Sequence, residues 1–340
     1  MQPKRRPLLK FGALVGGLLG LGLSALLLEI YGVGRILDLL KFAGWAGILA
    51  VIAFHLLQIL CSALGWRVIA GPTVPRPGLL AYTMLRWIRE AVNNLLPLAQ
   101  IGGEIIVARL LQQRGMKLAP AIAGTVADLT IEMATQIPFT LLGLILLLRS
   151  VGESGIAGYV ISGLLVAALV VAGLFGALWL GLAAAVEKGL MRLGRWMGWA
   201  GAANVEGLHH ALIGCYRAPD RVALAALWHM VSWLLGGVEV CVALHFLGLD
   251  IGIGTGLIIE SLGQAVKAVG FAVPGALGIQ EGGYVVICRA LGLSPEVAIA
   301  LSLMKRIREI LLGGSGLIFW QQSAAKGTAG PPKSTSTGIQ

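Results

Sequence analysis

Apolar runs set the plan of this chain before any single residue does. Long runs fall at 11–28, 42–69, 118–148, 156–186, 222–247 and 295–320. Most reach the roughly 20 residues that an α-helix needs to cross a hydrocarbon layer about 30 Å thick. The first follows Lys4, Arg5, Arg6 and Lys10 and has no small-residue cleavage site before Glu29, so it reads as a retained span. The pattern predicts an all-α polytopic membrane protein with about six full transmembrane helices.

Two stretches break this pattern. Residues 79–114 and 254–291 are each too long for one crossing, and each has a proline near its middle, Pro97 and Pro274. Proline removes a backbone donor and restricts the residue before it, so each stretch should split into two half-helices. Irregular backbone at membrane depth survives only where protein or a wet cavity covers it. Two re-entrant helical hairpins satisfy both conditions.

Composition agrees with lipid as the solvent. The chain is 57% hydrophobic and 12% charged, against about 25% charged in soluble domains. The net charge of +10 gathers at the ends of apolar runs, which is a topology signal and not a nucleic-acid signal. Six crossings put both termini on one side. That side receives Lys4, Arg5, Arg6, Lys10, Arg67, Arg76, Arg114, Lys117, Lys188, Arg192, Arg195, Arg217, Arg221, Lys326 and Lys333. The other receives Arg35, Lys41, Arg149 and Arg289, so the termini are predicted to be cytoplasmic. Residues 187–221, with Trp196 and Trp199, read as an amphipathic cytoplasmic connection. Residues 324–340 read as a disordered tail after a single transmembrane domain at 1–323. Cys61, Cys215, Cys241 and Cys288 are isolated and indicate neither a zinc site nor disulfides.

A shift of 177 residues aligns Pro97 with Pro274, Glu104 with Glu281, Gly115 with Gly292 and Glu132 with Glu309. Glu is scarce here, so the two Glu matches beside a shared proline carry the comparison. Two repeats follow, at about 42–148 and 222–320, each a span, a re-entrant hairpin and a span. The predicted topology inverts one against the other, an arrangement of many secondary transporters, whose sites lie between the repeats.

Charged residues at bilayer depth mark candidate sites. Asp128 and Glu132 share a helix face at i, i+4, and the last span centres on Lys305, Arg306, Arg308 and Glu309. Lys305 and Arg306 are each spaced to pair with Glu309. Bridges between repeats, Asp128 to Lys305 or Glu132 to Arg306, would neutralise most of these charges. Such charges either lock the halves together or line and gate a polar route. At the hairpins, Asn93, Asn94, Pro97, Gly102, Gly103 and Glu104 form the first turn, and Pro274, Gly275, Gly278, Gln280 and Glu281 the second. Half-helix N-termini there can hold a phosphate or carboxylate. Glu104 and Glu281 either brace the returning helices or meet substrate. Arg86, Arg89, Arg109 and Lys267 are candidates for an anionic headgroup, with snorkelling to the interface as the alternative for Arg86 and Arg89. His55, His229 and His245 have no metal-ligand spacing and read as core or interfacial residues. No cofactor, metal or catalytic motif is indicated.

The run N-N-L-L-P-L-A-Q-I-G-G-E at 93–104, Arg109, P-G-A-L-G-I-Q-E at 274–281 and an Arg-bearing last span together resemble the lysylphosphatidylglycerol synthase transmembrane-region family. The resemblance runs from about residue 10 to 320, and the wording is most like its hopanoid-biosynthesis-associated (HpnL-type) branch. It implies a flippase-like protein that moves a polar or anionic lipid between leaflets. Well-known members add a cytoplasmic aminoacyl-transfer domain, for which this chain has no room after its last span. The alternatives are an intramembrane lipid-modifying enzyme using Glu104 or Glu281 as acid or base, and a non-catalytic membrane partner of lipid-biosynthesis enzymes.

Overall fold

The computed structural model describes residues 22, 26, 29–73, 75–96, 102–151, 207–270, 273 and 276–328. The expected spans at 11–28 and 156–186, most of the connection at 187–221, Pro97, Pro274 and Gly275 lie outside or largely outside the described residues. Nine helices cover most of what is described, with no strand among them. They are α1 (Val33–Ile69), α2 (Leu79–Leu95), α3 (Gly102–Gln113), α4 (Leu118–Val151), α5 (Leu208–Tyr216), α6 (Pro219–Phe246), α7 (Ile253–Val269), α8 (Ile279–Ala290) and α9 (Pro295–Thr328).

Local sequence explains the boundaries. α6 starts on Pro219, whose missing N–H would be unpaired at that position anyway, with Asp220 at the positive helix end. Ser294 caps α9, its Oγ accepting the Val297 amide at 3.4 Å. α1 begins nine residues before the expected span and is broken at Gly44, whose φ of 57° a helix cannot use. α9 runs past the expected 320 to Thr328, so the first five residues of the expected tail are helical. Ala324, Ala325 and Lys326 favour continuation of the helix.

Three described helices are long and apolar enough to cross a membrane: Val33–Ile69, Leu118–Ser150 and Pro219–Phe246. Large apolar side chains on them face outward, among them Phe42, Trp45, Leu49, Ile145, Leu148 and Leu227. So wide an apolar exterior suits lipid contact. α9 has the same 34 residues as α4, but Lys305, Arg306, Arg308 and Glu309 interrupt its apolar run.

The helices recur at the offset of 177. α3 and α8 are 12 residues each, and Gly102 and Ile279 begin them. α4 and α9 are 34 each, from Leu118 and Pro295. α1 and α6 end on Ile69 and Phe246. Gly115 and Gly292, at φ 91° and 76°, close α3 and α8 with the same bonds: Met116 N to Leu111 O, 3.2 Å, and Leu293 N to Cys288 O, 2.9 Å. The first hairpin helices depart from this register. α2 and α7 are 17 residues each, yet offset by 174, because the loop before α2 is three residues longer and the tip after it three shorter.

α4 and α9, which correspond at this offset, run in opposite directions through the molecule. α1 and α6 pack antiparallel, with Gly47 beside Phe246 and Ser62 Oγ 3.0 Å from Ser232 Oγ. Apolar residues form two cores. The first holds the end of α1, the first hairpin, the starts of α4 and α6, and α5, with the end of α9 packed on it. The second holds the start of α1, the ends of α4 and α6, the second hairpin and the start of α9. The halves interleave, α2 lying along α9 and α7 along α4. The layer between the two cores is where the charges meet.

Candidate functional site: a buried charge layer and its cavity

α2 presents Arg86, Arg89, Glu90, Asn93 and Asn94 at helical spacing, a polar stripe on an otherwise apolar helix. Arg86 forms a two-point pair with Glu132, one bond being 2.6 Å, and comes within 3.9 Å of Asp128. Arg89 donates to Asp128 at 2.7 Å and to Glu132 at 2.6 Å, with its guanidinium carbon 5.3 Å from the Trp66 ring centre. Asp128 also meets His229 Nε2 at 2.9 Å and is fully buried. Asn93 ties the hairpin together: its Oδ1 accepts the Gly103 amide at 2.8 Å and its Nδ2 donates to Glu104 at 3.1 Å. A Cβ at Gly103 would lie 2.4 Å from the Arg89 carbonyl oxygen, so this crossing requires glycine.

The second half builds a counterpart from different residues. Lys305 pairs with Glu260, which also accepts from Gln264 at 2.8 Å. Lys267 donates to Glu309 at 2.8 Å and reaches Asn94 at 3.5 Å, which links the two hairpins. Arg306 donates to Glu309 at 2.9 Å and to Glu281 at 3.2 Å. The other oxygen of Glu281 accepts the Gly278 amide at 2.6 Å and so caps α8.

Between these sets, α1 and α6 carry the middle of the layer. Arg308 pairs with Glu239, which accepts from Gln58 at 2.5 Å. His55 places Nε2 2.5 Å from Glu90 and Nδ1 3.4 Å from Glu239. Among the described residues, eight carboxylates thus share the layer: Glu90, Glu104, Asp128, Glu132, Glu239, Glu260, Glu281 and Glu309. Six permanent cations face them: Arg86, Arg89, Lys267, Lys305, Arg306 and Arg308.

A cavity of about 260 Å³ opens into this layer. Of the expected site residues, Arg86, Arg89, Asn93, Asn94, Glu104, Glu132 and Lys267 line it, and Asp128 sits behind Arg89 and His229. Gly102 and Gly103 are buried at the start of α3. Gly278, Glu281, Arg306 and Glu309 gather at the second hairpin, with Lys305 paired to Glu260 nearby. Arg109 is exposed on α3, away from the cavity.

The bridges expected between repeats, Asp128 to Lys305 and Glu132 to Arg306, are not the pairs that form, and Lys305 takes Glu260 in place of Glu309. Each hairpin carries its own counter-charges to the long helix of its own half, which leaves α4 and α9 no unmatched charge to exchange. The i, i+3 pair of Arg306 with Glu309 does form. Arg89 is buried and Arg86 half-buried, and both turn to carboxylates of the layer in place of snorkelling. The sequence alone does not assign Glu90, Glu239, Glu260 or the two histidines to the site, and it places Arg308 among the central charges without giving it a partner. Glu239 and Glu260 each stand in an apolar stretch, and an isolated acid at that depth was the available signal.

Residues 13–314 match the family model described as Lysylphosphatidylglycerol synthase TM region, and the chain belongs to that family. No curated protein and no solved structure matches it.

Proposed function

We propose that this protein is a bacterial inner-membrane lipid transporter of the flippase type. The polar headgroup passes through the cavity between the two halves while the tails stay in the bilayer. One observation carries the reading: a cavity of about 260 Å³, lined by paired charges, lies between two apolar cores and is shared by both halves. Ionisable groups held at such depth mark substrate pathways, and transporter sites sit between inverted repeats near the midplane.

In this arrangement the charge layer lies near the bilayer midplane, the two hairpins are re-entrant and both termini are cytoplasmic. The cavity's cations are already matched by carboxylates, so an anionic headgroup enters by displacing one of them, and the pairs act as the gate. No catalytic step is assigned to Glu104 or Glu281, because both serve the hairpins they belong to. A polar lipid related to hopanoids is the first substrate class to assay, given the resemblance to the hopanoid-associated branch.

The experiment is leaflet-resolved lipid analysis of cells with and without the gene, with Arg89→Ala as the site variant. One lipid class changing sides, in the deletion and the variant alike, supports transport and names the substrate. A lipid changed in chemical identity, with sidedness intact, points to an enzyme instead.

A further inference from the structure

Among the described residues the charge layer does not balance by itself. There its eight carboxylates outnumber its six guanidinium and ammonium groups by two. Carboxylates far from water are strongly disfavoured without a counter-charge. Two histidines stand in the same layer, both line the cavity, and both touch carboxylates.

His55 is the more telling of the two. It has an acid at each ring nitrogen: Glu90 of α2 at 2.5 Å from Nε2, and Glu239 of α6 at 3.4 Å from Nδ1. The hydrogen bond is made by Nε2, while Nδ1 has no hydrogen-bond partner and meets Glu239 as an ion-pair contact. A neutral imidazole protonated on Nε2 would turn the Nδ1 lone pair towards Glu239, whereas the doubly protonated ring turns an N–H towards each acid. Arg308 of α9 is the nearby cation, already paired with Glu239. His229 faces Asp128 of α4 at 2.9 Å, with Glu132 on that helix and Arg89 of α2 completing the cluster.

We propose that His55 and His229 are proton-binding sites whose two protons balance the layer and exchange through the cavity as the headgroup passes, linking substrate movement to proton movement. The link to movement rests on the transport reading; the two proton sites do not. A proton enters and leaves as H⁺ from water on either side, with no redox partner. An imidazole that gives up its proton leaves two carboxylates facing each other across α1, which favours a rearranged layer.

Two measurements test this separately. The first is ¹⁵N NMR of histidine-labelled protein in lipid nanodiscs at pH 7, with signals assigned through His55→Gln and His229→Gln. The expected result is that both rings carry protons on both nitrogens; neutral, singly protonated rings overturn the proposal whatever the lipids do. The second is exchange of fluorescent lipid analogues in vesicles under an imposed pH gradient. The gradient should bias the leaflet distribution for the wild type. It should not for His55→Lys, which keeps the positive charge in place and guards against loss of folding in the glutamine variants. Lipid exchange that ignores the gradient in the wild type overturns the coupling and leaves transport standing. Absence of lipid exchange under every gradient removes the transport reading and the coupling with it, while the NMR still decides the proton sites.

Discussion

Arg86 on α2 and Glu260 on α7 hold the same place in the two halves and carry opposite charge. Both are the eighth residue of a 17-residue helix, and each faces the charged turn of its own long helix, Arg86 towards Asp128 and Glu132, Glu260 towards Lys305. Asp128 and Lys305 are themselves equivalent at the offset of 177. This one contact recurs in the two halves with its polarity reversed, whereas Glu132, the hydrogen-bonded partner of Arg86, keeps its sign in Glu309.

This relationship predicts a rescue. Glu260→Lys or Lys305→Glu alone places two like charges in contact inside the layer and should destabilise the protein by about 3–5 kcal/mol, the range for breaking a buried pair. The double variant restores opposite charges and should recover more than half of that loss. Thermal unfolding in detergent, followed by loss of the monodisperse peak, measures all three. A double variant no better than the worse single one would mean that the partners of this pair, Gln264 and the Tyr284 ring, tolerate one polarity alone.

The helix offset of 177 was legible in the sequence because scarce residue types recur at that spacing: Glu104 with Glu281, Glu132 with Glu309, Gly115 with Gly292. The partners were not legible. At 177, Arg86 aligns with Gly263 and looks unmatched; the three-residue slip in the loops moves its true counterpart to Glu260. Glu239 and His55 met no partner within reading distance, since their contacts are made by helices 181 and 35 residues away in the chain. Apolar periodicity locates helices, whereas buried ion pairs are chosen by how those helices cross.

Asp128 is the keystone of the first cluster, shared by Arg89 and His229. Asp128→Ala leaves Arg89 with Glu132 and a distant Glu104, and leaves the His229 ring without its acid. The expected loss is about 3–5 kcal/mol, again as for a broken buried pair. Adding Arg89→Met, which removes the stranded guanidinium, should regain part of it, and the two changes should be strongly non-additive because they share a contact. Additive losses in a thermal-shift comparison would show that Arg89 draws its stability from Glu132 and the Trp66 face alone.

Gly103 and Gly282 offer a matched comparison. A methyl at Gly103 meets the Arg89 carbonyl oxygen at 2.4 Å and the Asn93 Oδ1 at 2.8 Å, so Gly103→Ala should open the first hairpin and lower stability by about 1–3 kcal/mol through overpacking. Gly282 lies in α8 with nothing within 4 Å of an added Cβ, so Gly282→Ala should be neutral or stabilise by up to about 1 kcal/mol through helix propensity. Thermal unfolding in detergent compares the two: a lower midpoint is expected for the first variant and an unchanged or raised one for the second.

The antiparallel relation of the halves makes a sidedness prediction. Arg114 and Arg289 each lie at the end of a hairpin's second helix, one and three residues before the positive-φ glycines Gly115 and Gly292. The first hairpin packs in the core where α4 begins, and the second in the opposite core, where α9 begins. In the proposed topology these two ends face opposite sides of the membrane, with the Arg114 end cytoplasmic. Arg114→Cys and Arg289→Cys, in a background where the four native cysteines are replaced, should therefore react with an impermeant maleimide from opposite faces. In intact spheroplasts Arg289→Cys should label at once, and Arg114→Cys only after the membrane is broken. Labelling of both from one face would place the two hairpins on the same side, and a route running between oppositely facing hairpins would have to be abandoned.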